Sequence, residues 1–376
     1  MAGLPYARPE EIRIDAQRLD VAYKLLTSWT TGENAPVPSG AIVVGRNGRI
    51  VEPRFFGRQG PERGAEAIRR DAIFLVASIT KPITCTAAML LVERGELSLT
   101  DPVTRYIPEF AAHHKEDTLV AHLFTHTSGM PDMLENNVEL RRRHAPLADF
   151  IRGAIRDTVP LFRPGTDLRY QSMGTLVVAE IIQRLSGKPI DAFLHEEIFA
   201  PLGLASMALG SKRLERARLV RVQTPEYQAA SDFGWNSSFW QELGAPWGGL
   251  FGAPEDFAVL CQMFLNYGHY NNVRILSPAA VRMMTTNRLN DFPDLPESIR
   301  RTQPWGLGWR MNHPGRTGSW GDLLDRTVYG HTGATGTMMW IHPQANAFCI
   351  LFTSAIAATH GWRRVRLSNA VAASMM

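Results

Sequence analysis

Ser78-Ile79-Thr80-Lys81, directly after the apolar run Ile73-Phe74-Leu75-Val76-Ala77, sets a hydroxyl and an amine three residues apart. If a helix begins at Ser78, residues i and i+3 share one face, and the amine can reach the hydroxyl and take its proton. A serine is a weak nucleophile until such a base stands beside it. The same four residues also fit a solvated lysine one turn into an ordinary helix, so the surroundings decide. The run before Ser78 reads as a buried strand. The run after it, Ala87-Ala88-Met89-Leu90-Leu91-Val92, reads as a buried helix stopped by Gly95. Pro82 falls in the first turn, where a missing N–H costs little. A serine at a helix start lies beside free N–H groups and the positive end of the dipole.

Working outward, a chain of 376 residues has room for one large domain or two interleaved ones. Hydrophobic residues make up 45% and charged residues 20%, an ordinary globular composition that argues against long disordered tracts. The formal net charge of +4 is small for this length. The Arg141-Arg142-Arg143 and Arg363-Arg364 patches lack interleaved aromatics and read as solvated surface, so no nucleic-acid partner is expected. Met1 to Tyr23 carries charges throughout, so no signal peptide is expected. No apolar run reaches the ~18 residues a membrane span needs. Cys85, Cys261 and Cys349 lie far apart in apolar segments and read as buried free thiols, which predicts a reducing, cytoplasmic location. His113-His114 lack partners at ligand spacing, so neither metal nor cofactor is expected.

Asp15 to Trp29 reads as an amphipathic helix. Ala41–Val44 and Arg49–Val51 flank Asn47-Gly48, a strong hairpin signal. From Ser78 to about Leu276 the pattern is mostly helical. Its clearest helices are Ser172–Leu185, closed by Ser186-Gly187, and Pro254–Tyr267, closed by Gly268. Strands return at Trp305–Met311, Thr327–His331, Gly336–His342 and Ala347–Thr353, with a turn at Pro343–Asn346 and a last helix from about Gly361 to Ala373. The expected fold class is α+β. Residues 1–77 and 277–376 form a sheet domain, in which N- and C-terminal strands join in one antiparallel sheet flanked by helices. Residues 78–276 form an inserted, mostly helical domain, and the site lies in the cleft between them.

Two further segments bear on the chemistry. Tyr170, before the Ser172 helix, reads either as a second acid or base, given cations that lower its pKa, or as an aromatic anchor. His331 lies on a strand and reads either as part of the site or as a satisfied strand histidine. Glycines 330, 333 and 336 would let a substrate approach the backbone, and the Ala334 N–H would join that of Ser78 in holding an oxyanion. Trp235, Phe239, Trp240, Trp247 and Phe251 either wall a pocket or fill the core.

Ser78-x-x-Lys81, Tyr170-Gln171-Ser172 and His331-Thr332-Gly333 together resemble the signatures of the serine β-lactamase and penicillin-binding superfamily. The class C branch is the closer match, and the family VIII carboxylesterases closest of all. Gly95–Val103, His122–Pro131 and Gly248–Phe251 extend the resemblance over most of the chain. It implies a β-lactamase-like fold, with Ser78 as acyl-forming nucleophile, Lys81 as its base and Tyr170 as proton shuttle. It places the oxyanion between the N–H groups of Ser78 and Ala334. Ser172, His331, Gly333 and Trp247 would contact substrate. Ser172 stands where class C enzymes have Asn, and His331 where β-lactamases have Lys. Both changes argue against efficient β-lactam hydrolysis. His126 and Ser128 are left as structural members of their loop. No G-x-S-x-G elbow supports an α/β-hydrolase.

The resulting expectation is a serine hydrolase that cleaves small carboxylic esters, with a small-molecule ester as its partner and no membrane. A β-lactamase, D-aminopeptidase or acyltransferase on the same scaffold is the alternative. A catalytically silent binding module is a third reading, opposed by the intact Ser78, Lys81 and Tyr170. Composition and motifs do not fix the oligomeric state.

Overall fold

Asn47 and Gly48, with φ of 53° and 77°, turn strand β1 (Ser39–Arg46) back into β2 (Arg49–Ile50), as the Asn-Gly pair predicts. The computed structural model describes residues 3–32, 35–229, 231–315, 320–356 and 361–376. The strands that follow are β3 (Arg54–Gly57), β4 (Phe74–Leu75), β5 (Met207–Leu209), β6 (Leu250–Gly252), β7 (His269–Tyr270), β8 (Val273–Arg274), β9 (Arg310–Met311), β10 (Tyr329–Thr332), β11 (Met338–His342) and β12 (Ala347–Thr353). N- and C-terminal strands do join, in an antiparallel sheet ordered β2-β1-β12-β11-β10-β9 with β3 also on β1.

The register explains why these strands read as nearly continuous apolar runs. Ala41 faces Phe352 and Val43 faces Ile350; Ile42 faces Leu351 and Val44 faces Cys349. The first set belongs to the large core shared with the helical region, the second to a core closed by the helices Ala16–Thr30 and Gly361–Ser374. Successive side chains point to opposite faces, and here both faces are covered. Asp15 caps the first of these helices by accepting from the N–H groups of Gln17 and Arg18.

Three details depart from the sequence reading. The Trp305–Met311 strand is only two residues long, because Gly308 turns at φ 80° with its Cα packed where a Cβ would lie 2.8 Å from Cys85. The mostly helical middle of the chain also carries short strands: β5 and β6 join β4 in a three-stranded sheet, and β7 and β8 form a hairpin. Arg142 and Arg143 are exposed, but Arg141 is half-buried, donating to the Phe233 carbonyl at 2.8 Å and standing 4.4 Å from the Trp240 ring, and Arg364 is half-buried, with its pKa lowered by burial. Cys85, Cys261 and Cys349 are free and buried. No helix among the described residues is long and apolar enough to cross a membrane.

Candidate active site

The site begins with a strained residue. Strand β4 ends at Leu75, and two residues on Ala77 sits at φ 49°, a region that residues with a Cβ rarely adopt. One 3₁₀ turn, Ala77–Ile79, follows, and the α-helix runs from Thr80 to Glu93. The α-helix thus starts two residues later than the sequence suggests, with Ser78 inside the turn. The turn is clamped: Thr80 Oγ1 donates to the Ala77 carbonyl at 2.6 Å and accepts from the Leu250 N–H at 3.0 Å. Ser78 Oγ and Lys81 Nζ lie 3.1 Å apart, and Nζ also donates to the Trp247 carbonyl at 2.8 Å. Lys81 is only 1% exposed.

Burial sets the electrostatics. It brings Lys81 down to about 7, against a smaller opposing pull from Asp132. The same cause raises Tyr170 above the ordinary phenol range, opposed by its hydrogen bond with Ser78. This corrects the expectation that cations lower Tyr170. The phenol stays protonated, and the Lys81 amine, 4.8 Å from the ring centroid, carries only part of a positive charge near neutral pH, too little to offset burial. Burial, then the charge of Lys81, lowers His331 to about 3, so its imidazole is neutral. His331 Nδ1 lies 2.7 Å from the Thr332 carbonyl, which can only accept. The proton therefore sits on Nδ1, and Nε2 presents a lone pair. Nε2 is buried and has no partner among the described residues.

Two clamps missing from the sequence reading hold these groups together. Gln171 is fully buried between Tyr170 and Ser172. Its N–H donates to His126 Nδ1 at 3.2 Å, its amide to the carbonyls of His122 and Leu123, and its side-chain oxygen accepts from Ser128. His126 and Ser128 are thus positioning groups, and the His126 ring packs 4.7 Å from Tyr170 and 4.4 Å from Trp305. On the sheet side, Thr335 Oγ1 donates to the Leu75 carbonyl at 2.8 Å and Thr337 Oγ1 to the Val76 carbonyl at 2.9 Å. These bonds tie the loop after β10 to the backbone just before Ser78. Among the described residues the Ala334 N–H has no acceptor, and Ala334 is exposed.

The glycines are required by the fold itself. A Cβ on Gly333 would lie 2.2 Å from the Val76 carbonyl oxygen, one on Gly330 2.1 Å from that of Met339, and one on Gly336 2.1 Å from Thr353 Oγ1. Trp247 is also recast. Its ring is buried against Phe150 at 5.9 Å and Trp240 at 6.2 Å, so what it offers the site is its carbonyl. Trp240 and Phe251 are core as well. Ser172, 2% exposed, donates to Asp132 Oδ1 at 2.6 Å. Asp132 was not singled out by the sequence; only its place after the Gly129-Met130-Pro131 turn hinted at it. Trp305, 5.8 Å from the His331 ring, was also missed. No metal-binding cluster occurs among the described residues.

Together these groups can activate a hydroxyl, receive its proton and stabilise an oxyanion. A family model described as Beta-lactamase matches residues 29–367. The N-acetylmuramyl-L-alanine amidase of Bacillus subtilis (strain 168) is 25% identical over 360 residues, covering 85% of this chain and 78% of the relative. A penicillin-binding protein homologue from Caulobacter crescentus superposes with a TM-score of 0.77 at 20% identity, covering 96% of this chain and 98% of that one. EstCE1, described as a hydrolase with promiscuous acyltransferase activity, superposes with a TM-score of 0.75 at 17% identity, covering 95% and 98%.

Proposed function

The chain belongs to the β-lactamase family of serine hydrolases, and from that premise we propose that it cleaves small carboxylic esters through an acyl-Ser78 intermediate, as family VIII carboxylesterases do. Free-base Lys81 takes the Ser78 proton as Oγ adds to the ester carbonyl. The N–H groups of Ser78 and Ala334 donate to the oxyanion. Collapse breaks the bond to the leaving alkoxide, which takes a proton from the Tyr170 phenol, and Tyr170 is reprotonated by Lys81. Water then attacks the acyl group, gives its proton to Lys81, and Ser78 Oγ leaves protonated. Three reduced thiols fit a cytoplasmic setting.

One observation carries the choice of ester over lactam. A β-lactam bears a carboxylate, and His331 offers it neither a cation nor a donor: the imidazole is neutral and its inward nitrogen is a lone pair. Losing a charged hydrogen bond there forfeits about 1.5–3 kcal/mol of binding, roughly 10- to 100-fold. A neutral ester loses nothing. The amidase relative favours amide cleavage as a second reading. The test is kcat/KM for p-nitrophenyl acetate and butyrate against nitrocefin and an acyl p-nitroanilide. Faster nitrocefin turnover would overturn the ester reading in favour of a lactamase, and faster anilide turnover in favour of an amidase.

A further inference from the structure

Asp132 is a fixed carboxylate at the edge of the reacting groups with no assigned task. The turn that carries it is pinned where the Met173 N–H donates to the Pro131 carbonyl at 3.4 Å. Its Oδ1 is held by Ser172 at 2.6 Å, and Ser172 itself is buried at the start of the Met173–Ser186 helix. Asp132 is nevertheless exposed, and among the described residues no cation pairs with it. A carboxylate anchored by a buried hydroxyl and left open on its other side can receive a donor from outside the protein.

The surrounding charges point the same way. Asp132 is the carboxylate that bears on both Lys81 and Tyr170. His126 and His331 are both held neutral by burial. Arg310 bears on His331 through the sheet, but it pairs with Gly330 and so lies on the opposite face, where its guanidinium stands 5.8 Å from the Trp320 ring. His331 adds a second acceptor, the unpartnered lone pair of its buried Nε2. Beyond the oxyanion donors, the side chains of Asp132 and His331 thus add negative charge and an acceptor, which suit a cation better than a carboxylate.

We propose that Asp132 docks a protonated amine on the acyl part of the substrate, so that amino-bearing esters are preferred over neutral ones. The proposal rests on the acyl-Ser78 reading and names its substrate class. It also couples binding to chemistry. The negative charge of Asp132 favours protonated Lys81. A docked ammonium cancels that charge and tips Lys81 toward the free base the reaction needs.

The test compares ethyl esters of D- and L-alanine with ethyl propionate, which lacks only the amine, by pH-stat at about pH 6.5, where an α-amino group is largely protonated. The ratio of kcat/KM within each protein cancels any loss shared by both substrates. The expected ratio is about tenfold or more for the wild type with one alanine enantiomer, near one for Asp132→Asn, and largely kept in Asp132→Glu. In the pH profile, Asp132→Asn should move the acid limb to lower pH. A wild-type ratio at or below one, or a ratio unchanged in Asp132→Asn, overturns the proposal. Fluorophosphonate labelling of the wild type separates the premises: label on Ser78 with a flat ratio sinks the Asp132 inference alone, whereas no label on Ser78 sinks the acyl-enzyme reading itself.

Discussion

Burial brings Lys81 toward the free base that the proposed mechanism needs, and the same burial has a stability cost. Its pKa in the fold is about 7, against about 10.4 in an unfolded chain. The unfolded chain therefore binds the proton more tightly, and stability rises with pH between those values; the penalty is full below about 7 and absent above about 10.4. Lys81→Met should melt above the wild type at pH 7, with the gap closing as pH rises toward 10, while ester hydrolysis falls by about 10³ or more. A gap that does not depend on pH would mean that Lys81 is not desolvated in the folded protein. In the wild type, kcat/KM should fall on the acid side with a midpoint near 7, since Lys81 becomes protonated as pH drops through that value. Lys81→Arg should be nearly inactive, because a guanidinium does not give up its proton. Ser78→Ala should lose activity by about 10⁴-fold or more with an unchanged far-ultraviolet spectrum; an acyl adduct on that variant, seen by intact mass, would place the nucleophile elsewhere. The pairing of Ser78 with Lys81 was legible in the sequence because it is local, three residues on one turn. The protonation states of Tyr170 and His331 were not, because both depend on what the fold packs around them.

At the scale of elements, contacts across long stretches of chain do what no local pattern announces. Thr335 and Thr337 are bonded to carbonyls about 260 residues earlier in the chain. Nothing in the sequence around them signals a partner, whereas Asn47-Gly48 and the capped helix after Asp15 carry their instructions within a few residues. Thr337→Val should leave the Val76 carbonyl short of a donor, cost about 1–3 kcal/mol and loosen the loop that carries the Ala334 N–H. The expected signature is a fall in kcat about tenfold or more with little change in KM; an equal rise in KM would tie the loop to binding instead. Lys115 makes a similar long-range cap. It is fully buried and donates to the carbonyls of Ile155 and Thr158 at 2.8 Å and to Thr158 Oγ1 at 3.0 Å, closing the end of the Leu147–Arg156 helix. Lys115→Ala strands those carbonyls and opens a cavity, so a loss of about 2–4 kcal/mol is expected in denaturant melts.

At the scale of the whole molecule, the order of elements suggests a sheet region with a helical insertion, but it does not show how the two are tied together. Strand β4, although it precedes Ser78, pairs with β6 in the small sheet of the helical region rather than with the large sheet. The helix Pro254–Leu265, although it comes from the helical region, packs on β1, β11 and β12. Phe257 and Phe352 meet edge-on across this junction with centroids 5.0 Å apart, and Phe74 stands 5.8 Å from Phe352. One large core accordingly runs through both regions, from Ala41 and Ile350 in the sheet to Leu176 and Phe193 in the helices. A boundary crossed by a shared core, by a strand in one direction and by a helix in the other leaves no half able to bury its apolar surface alone. Ser78 follows β4 and Ala334 follows β10, so the two meet only when both regions are folded. The expected outcome is a single cooperative transition, with tryptophan fluorescence, far-ultraviolet circular dichroism and loss of hydrolase activity tracing one curve in urea. A fragment of residues 78–276, which lacks β4 and the sheet beneath Pro254–Leu265, should remain without a cooperative melt. Two separated transitions in the intact chain, or a fragment that melts cooperatively, would show that the helical region folds independently of the sheet.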